Sequence, residues 1–515
     1  MRALTWLSAR HRHSAADSAC GLTALLACAL LVGCASPPSL SPAASPRSPL
    51  PTAWSAPLPH AGSTTDLNQW WSRFNDPLLA ELIAAAQAAS PNLASAWARL
   101  EKARAGQVAA VAAGLPQLQV QGAASHGRAT AQQPITTSAT LGVTAAWEWD
   151  LFGALAAGQR AAQARAEGAQ AAWHGARISV AAETASSYAA LRVCEAQLTL
   201  SLQDSQSRNE TARLTDSSAR AGFTAPAEAA LARAGAAQSR STTLAQRAQC
   251  DTLVKSLVEV SDIPEAQLRQ RLALSTGRLP QPEPISSQVL PAALLAQRPD
   301  VAEASRAVAA AASEHAQSQA RQRPQVGLAG SLFELGSRSG GVSSTGIGWT
   351  LGPVSVSFPL FDGGARAANT AVARAAYDEA VALYQAQLRR AVREVETALV
   401  ALQSTADRQS DTDAAARDFE ASLRATSARS LGGLSSQFEL EIARRNALQA
   451  QSVLVDLQRE RLSAWISLYR ALGGGWSAEA VSATAVSGLP VVAAATAPGA
   501  PQPALPPRPP RPASL

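Results

Sequence analysis

The sequence predicts a mainly α-helical chain with a membrane β-barrel contribution, arranged as two tandem helix–strand–strand–long helix–helix units. Three observations predict it. First, landmarks recur in one order, always 208 to 211 residues later. Ser90-Pro91-Asn92-Leu93 returns as Arg298-Pro299-Asp300-Val301, Pro116-Gln117-Leu118 as Pro324-Gln325-Val326, and Leu151-Phe152 as Leu360-Phe361. Gly222, Glu228 and Ala232 return as Gly433, Glu439 and Ala443, so the chain is two copies of one unit. Second, the segments near 154–221 and 364–431 contain no proline. As helices each would be a rod of about 100 Å, which must lie against similar rods as a coiled coil or tubular bundle. Third, four shorter segments alternate apolar and polar residues with period two, as strands with one apolar face do.

Composition narrows the classes. Of 515 residues 47% are hydrophobic but only 4% aromatic. Alanine supplies most of the apolar count, which suits closely packed helices and argues against an aromatic-rich sandwich. The formal net charge is +6, from 44 basic and 38 acidic residues. With no Lys/Arg run and no basic–aromatic patch, nucleic-acid binding is excluded.

Residues 1–33 read as an export signal. Arg2, Arg10 and Arg12 precede the uncharged stretch Gly21 to Val32, which is too short to span a membrane. Leu31-Val32-Gly33-Cys34 resembles the bacterial lipobox, in which the cysteine is acylated and becomes the mature N-terminus. Ordinary cleavage beside an incidental cysteine is the alternative. Ala35 is not the Asp that favours inner-membrane retention of such lipoproteins. Residues 34–65 then form a lipidated tether rich in Pro, Ser and Ala. No later stretch approaches 18 apolar residues without a charge or proline, so further membrane contact falls to strands.

The first unit covers 66–262. Asp76 caps a helix running to about Gly114, with Pro77 at its first position. Leu118, Val120, Gly122 and Ala124 alternate; a polar loop runs from His126 to Thr137; then Leu141, Val143, Ala145, Trp147 and Trp149 alternate. This is a β-hairpin at about 116–150. A helical hairpin follows at about 154–260, turning at Gly222-Phe223-Thr224 and returning as Pro226–Val260. After a linker (263–289), the second unit covers 290–476. Its β-hairpin (about 325–358) carries Val326, Leu328 and Leu332, a Gly/Ser loop from Gly336 to Gly346, then Ile347, Trp349 and Leu351. Pro353 predicts a bulge before Val354, Val356 and Phe358 resume the alternation. The second helical hairpin (about 364–472) turns at Gly432-Gly433-Leu434-Ser435. Thr224 and Ser435 are the expected caps of the returning helices. Residues 477–515, rich in Pro and Ala and without periodicity, read as a disordered tail.

Catalytic and metal chemistry find no footing. His60, His126, His174 and His315 are isolated, and no CxxC, HExxH or P-loop is present. No cofactor, metal site or enzymatic activity is expected. Met1 is the single methionine, which counts against a thioether-lined Cu(I)/Ag(I) path. Cysteine spacing is informative. With Cys20 and Cys28 in the signal and Cys34 at the lipid site, Cys194 and Cys250 remain, each 28 residues from Gly222. Residues equidistant from the turn of an antiparallel hairpin lie at one height, and 28 residues is four heptads. In an oxidising compartment the two should pair; two buried free thiols are the alternative.

Four strands cannot close, and an open sheet edge is not tolerated in lipid. Several chains must share one barrel: two give eight strands and a plugged interior, three give twelve and a lumen. Four stretches resemble the TolC/OprM outer membrane factors, NodT-type efflux lipoproteins above all. They are Trp70-Trp71-Ser72-Arg73-Phe74-Asn75-Asp76-Pro77-Leu78-Leu79-Ala80-Glu81-Leu82-Ile83, Gln297-Arg298-Pro299-Asp300-Val301, Pro359-Leu360-Phe361-Asp362-Gly363-Gly364 and Leu468-Tyr469-Arg470-Ala471-Leu472-Gly473-Gly474-Gly475-Trp476. The resemblance spans about 66–476. It implies a homotrimer with a 12-strand barrel in the outer membrane and an α-helical barrel in the periplasm. It also implies docking to a periplasmic adaptor and an inner-membrane pump, usually of the RND class, with the chain as a passive conduit for drugs or other small molecules. The alternatives are a channel of a type I protein secretion system and a non-conducting structural envelope lipoprotein. Glu228 and Glu439 match acidic residues that the family points into its periplasmic mouth. The family commonly has Asp there, and a solvated helix face is the competing reading. Gly222, Phe223, Thr224, Gly433, Leu434 and Ser435 match the helical tips that contact the adaptor.

Overall fold

The computed structural model describes residues 70–280, apart from 72, 129 and 131–133, and residues 298–474. The export signal, Cys34, the 34–65 tether, residues 281–289 of the linker and the 477–515 tail lie outside the described residues.

The first helix of the first unit is two helices. Helix α1 (Pro77–Ala89) and helix α2 (Pro91–Ala112) meet at Ser90, which is extended at φ −65°, ψ 117°. Pro91 disfavours the helical conformation at the residue before it and cannot donate a helical N–H, so the expected run to Gly114 breaks there. Ser90 then caps α2, its Oγ accepting from the Leu93 N–H at 3.3 Å. Asp76 caps α1, accepting from Leu78 and Leu79.

The four strands form one antiparallel sheet in the order β1 (Gln117–Gly127), β2 (Thr136–Trp149), β3 (Gln325–Ser339), β4 (Val342–Ser357). The two hairpins are joined by β2–β3 pairing that runs from Thr136↔Ser339 to Trp149↔Val326. Both expected loops are shorter than composition suggested. His126 pairs with Thr137 inside the ladder, and Gly336–Gly346 is strand except for Gly340-Gly341. Those two glycines have φ of +58° and +87°, the positive values that a tight two-residue hairpin turn demands. At the cis Gly352–Pro353 bond, Leu328 faces Val354 and Gly330 faces Leu351. Ala329 alone therefore opposes Gly352 and Pro353, a β-bulge where proline has no N–H to give.

Rods of 67 residues follow each hairpin: α3 (Ala154–Arg220) and, in the second unit, its counterpart Ala365–Leu431. Each starts on a left-handed glycine, Gly153 or Gly364. A nearby carboxylate satisfies the first helical N–H groups: Asp150 takes Leu155 and Ala156, Asp362 takes Gly364 and Arg366. Helix α4 (Pro226–Ser261) returns along α3, and Cys194 on α3 is disulfide-bonded to Cys250 on α4, with Cα atoms 5.6 Å apart.

Part of the expected linker is structured: α5 (Glu265–Leu272) continues into a 3₁₀ turn, Ala273–Ser275. Its two leucines, Leu268 and Leu272, are buried in the main core, which is why an eight-residue, largely polar sequence is helical. The second unit then runs α6 (Pro299–Ala320), β3, β4, α7 (Ala365–Leu431) and α8 (Gln437–Ala471).

The core lies where α1, α3, α4, α5, α7 and α8 converge part-way along the rods. Trp70 packs edge-on to Trp465 at 5.9 Å, and Trp71 lies 4.7 Å from Tyr469. A polar knot is set into this core. Arg192, with a fully buried side chain, donates to the Tyr188 hydroxyl (2.9 Å), Glu195 (2.7 Å), the Leu272 carbonyl (3.1 Å) and Ser275 Oγ (2.6 Å). Tyr188 in turn donates to Asp76 at 2.5 Å. Burial, and then that hydrogen bond, push its phenol up to about 12. The knot ties α1, α3 and the linker to one another.

Candidate functional site

The sheet register separates two chemically different faces, since directly paired residues point the same way. One face carries Leu118 and Val120 of β1, Leu141, Val143 and Trp147 of β2, Leu328 and Leu332 of β3, and Trp349, Leu351 and Val354 of β4. Val120 is 76% and Trp349 75% exposed, far more open apolar surface than a sheet in water would carry. This band ends at Glu334 and Arg338, toward the Gly340-Gly341 turn. The opposite face is nearly uncharged and hydroxyl-rich, with Phe333, Leu335 and Val342 as its larger apolar side chains. Ser125 meets Ser138 (2.7 Å), Thr136 meets Ser339 (3.0 Å), Ser331 meets Thr350 (2.7 Å) and Ser337 meets Ser344 (2.8 Å). Glu148 is the one ionisable side chain on this face among the described strand residues.

At the far end of the rods the two tips are built alike. Gly222 and Gly433 adopt φ of +81° and +72°. The Phe223 N–H reaches back to the Ser218 carbonyl (3.0 Å) and the Leu434 N–H to Arg429 (2.8 Å). These are Schellman closures, in which only glycine adopts the left-handed position without cost. The apolar residue after such a turn usually packs onto its own helix. Here Phe223 is 86% and Leu434 73% exposed.

The expected caps are displaced by one residue. Ala225 is the N-cap of α4 and offers no side chain, because Pro226 takes the first helical position; the Thr224 hydroxyl pairs with Ser218 Oγ instead. In the second unit Ser436, not Ser435, is the N-cap, because Glu439 three residues on completes a capping box. Glu228 and Glu439 thus occupy the same third helical position. Glu439 accepts from Ser435 Oγ (2.6 Å) and the Ser436 N–H (3.1 Å), which hold its carboxyl below the ordinary range; Glu228 is exposed in the first turn of α4.

Sequence reasoning missed a polar seam between the two helical hairpins. Glu441 on α8 accepts from Thr211 (2.6 Å) and Ser207 (3.1 Å) of α3, Arg444 donates to Ser207, and Gln197 donates to Asp456. In sequence these read as ordinary solvated helix positions, so no signal marked them. Among the described residues no cluster of His, Cys, Asp or Glu could hold a metal, and no helix is long and apolar enough to cross a membrane.

The family model described as outer membrane efflux protein matches residues 82–261 and 290–474. The chain belongs to that family. Nodulation protein T of Rhizobium leguminosarum bv. trifolii is 26% identical, over 87% of this chain and 96% of its own length. Outer membrane protein OprJ of Pseudomonas aeruginosa is 27% identical, over 88% of this chain and 96% of its own. The crystal structure of the Campylobacter jejuni CmeC outer membrane channel has the same fold, with a TM-score of 0.75 at 19% identity over 88% and 98% of the two chains. The chain is thus an outer-membrane protein whose helical rods stand in the periplasm, and the chemistry of its apolar sheet face suits contact with lipid.

Proposed function

We propose that three copies of this chain close one twelve-strand barrel, continuous with a periplasmic helical tube, as the passive conduit of a tripartite efflux system. Drugs or other small molecules enter it from a periplasmic adaptor and an inner-membrane pump of the RND class. The observation that carries this reading is a sheet with one lipid-compatible face, one nearly uncharged, hydroxyl-rich face and two unpaired edges, β1 and β4. In lipid those edges must pair with neighbouring copies, and twelve strands leave a polar-walled lumen where eight would not. Phe223 and Leu434, displayed by their glycine turns together with Gly222, Thr224, Gly433 and Ser435, suit docking against apolar adaptor tips.

The channel test is conductance in planar bilayers. Purified protein gives discrete steps and a reversal potential, under a KCl gradient, that favours cations. Glu228 and Glu439 from three chains concentrate negative potential at the mouth, so Glu228→Gln with Glu439→Gln lowers the cation preference several-fold. Absence of conductance in both forms identifies a structural envelope lipoprotein instead. Cys34 is the proposed acylation site. Cys34→Ser abolishes labelling by fatty-acid analogues, and undiminished labelling rules the anchor out.

A further inference from the structure

On the hydroxyl-rich face of the sheet, one residue is aromatic. Phe333 stands on β3 between Ser331 and Leu335, with Ser337 and the hydroxyls of the adjoining strands nearby, on the side opposite the lipid band. It is the one aromatic residue on that face among the described strand residues. Its two register partners are both glycine: Gly142 on β2 and Gly348 on β4. A Cβ on Gly348 would come within 2.5 Å of the Phe333 Cζ, and one on Gly142 within 2.6 Å of the Phe333 Cβ. The ring therefore reaches across the sheet into the space that the missing side chain of Gly348 leaves, and it is only half-buried there. The corresponding position in the first unit, 208 residues earlier, is Ser125, which bonds Ser138. The repeat architecture does not require a ring at this height.

We propose that Phe333 is a cargo-contact residue. Three copies set an aromatic collar, with Leu335 beside it, in a hydroxyl-rich and nearly uncharged lumen, where it retains transiting solutes that carry an aromatic or apolar group. The inference rests on the conduit reading, in which the polar face lines the lumen. Its physical basis is simple. Hydroxyl pairs already satisfied across the ladder offer a passing molecule little, whereas a π-face is a site for stacking and, for cations, for attraction to the ring quadrupole. The near absence of charge means that contact, not charge sign, discriminates among solutes within the barrel.

The test compares two blockers of equal charge, tetraphenylphosphonium and tetraethylammonium, on single channels in planar bilayers. Phe333→Leu keeps an apolar body over Gly348 and removes the ring. It is expected to raise the half-blocking concentration of tetraphenylphosphonium about three- to tenfold while leaving that of tetraethylammonium unchanged. Phe333→Trp is expected to lower the first and leave the second unchanged, and it serves should the leucine variant fail to insert. Conducting variants whose tetraphenylphosphonium block matches wild type, or in which both blockers shift together, overturn the proposal and leave Phe333 as a cover for two glycines. A wild-type protein that forms no conductance overturns the conduit reading itself, and the collar with it.

Discussion

Replacing Arg192 with methionine is expected to cost about 3–5 kcal/mol of stability, the range for breaking a buried ion pair by removing one partner. The guanidinium holds four acceptors at once, and its side chain is fully buried. Methionine fills part of the volume but leaves Glu195, 13% exposed, without its cation and the Leu272 carbonyl with the longer Thr276 hydroxyl contact (3.4 Å) in place of the guanidinium. Glu195 would keep only the Gly277 N–H among these contacts. The measurement is the thermal midpoint of the purified protein followed by circular dichroism. Arg192→Met combined with Glu195→Gln should recover a substantial part of the loss, because the uncompensated charge is gone. A single variant with a midpoint equal to wild type would show that the knot contributes nothing net.

The second large effect is loss of the Cys194–Cys250 bond. It closes a sequence separation of 56 residues, for which chain-entropy reasoning gives about 4 kcal/mol of stabilisation through the unfolded chain. Cys194→Ser, Cys250→Ser and the double variant should all fall by the same amount, since one missing thiol already opens the loop. Reduction of the wild-type protein should reproduce the fall, and mass spectrometry of oxidised protein should find no free thiol at either position. Unequal losses in the three variants would point to packing of the sulfurs rather than to the cross-link. The second helical hairpin has no such tie: buried Thr405, near the equivalent height, spends its hydroxyl on the Leu402 carbonyl of its own helix.

Much of this architecture is legible in the sequence because it is periodic. The rods read as unbroken helix since no proline or glycine pair interrupts them before Gly222 and Gly432-Gly433, where Schellman closures stop both. The strands read from alternation, and Pro353 marked its bulge because a missing N–H has few places to sit in a ladder. What was not legible depends on partners distant in sequence. The helix α5 has too few apolar residues to announce itself; it is helical because Leu268 and Leu272 enter a core made elsewhere. The Gly336–Gly346 run looked like a loop because glycine and serine are turn residues, yet cross-strand hydroxyl bonds make it strand. The caps fell one residue later than Thr224 and Ser435, because Pro226 at the first helical position moves the first cap to Ala225 and a capping box selects Ser436. At the site, Glu228 and Glu439 recur between the repeats and take their expected role from the family resemblance, whereas Glu441 and its seam carry no periodic mark at all. Phe333 did leave a trace: it is an aromatic residue out of phase with Leu328 and Leu332.

The pairing of Thr136 with Ser339 also bears on the order of assembly. Those partners lie 203 residues apart; they are brought together by α4, which at 36 residues returns about half the length of the 67-residue α3, and by α6, which precedes β3. Contacts within each helical hairpin close through short turns and form early; the β2–β3 seam, like the α3–α8 contacts between residues 230 to 259 apart, carries a larger loop-closure cost and forms later. Until it forms, each β-hairpin is an isolated pair with an apolar face and exposed edges, a species prone to aggregation. Local hairpins first and the joined four-strand sheet later is therefore the order that loop closure favours, and the interval between them is when the chain most needs protection.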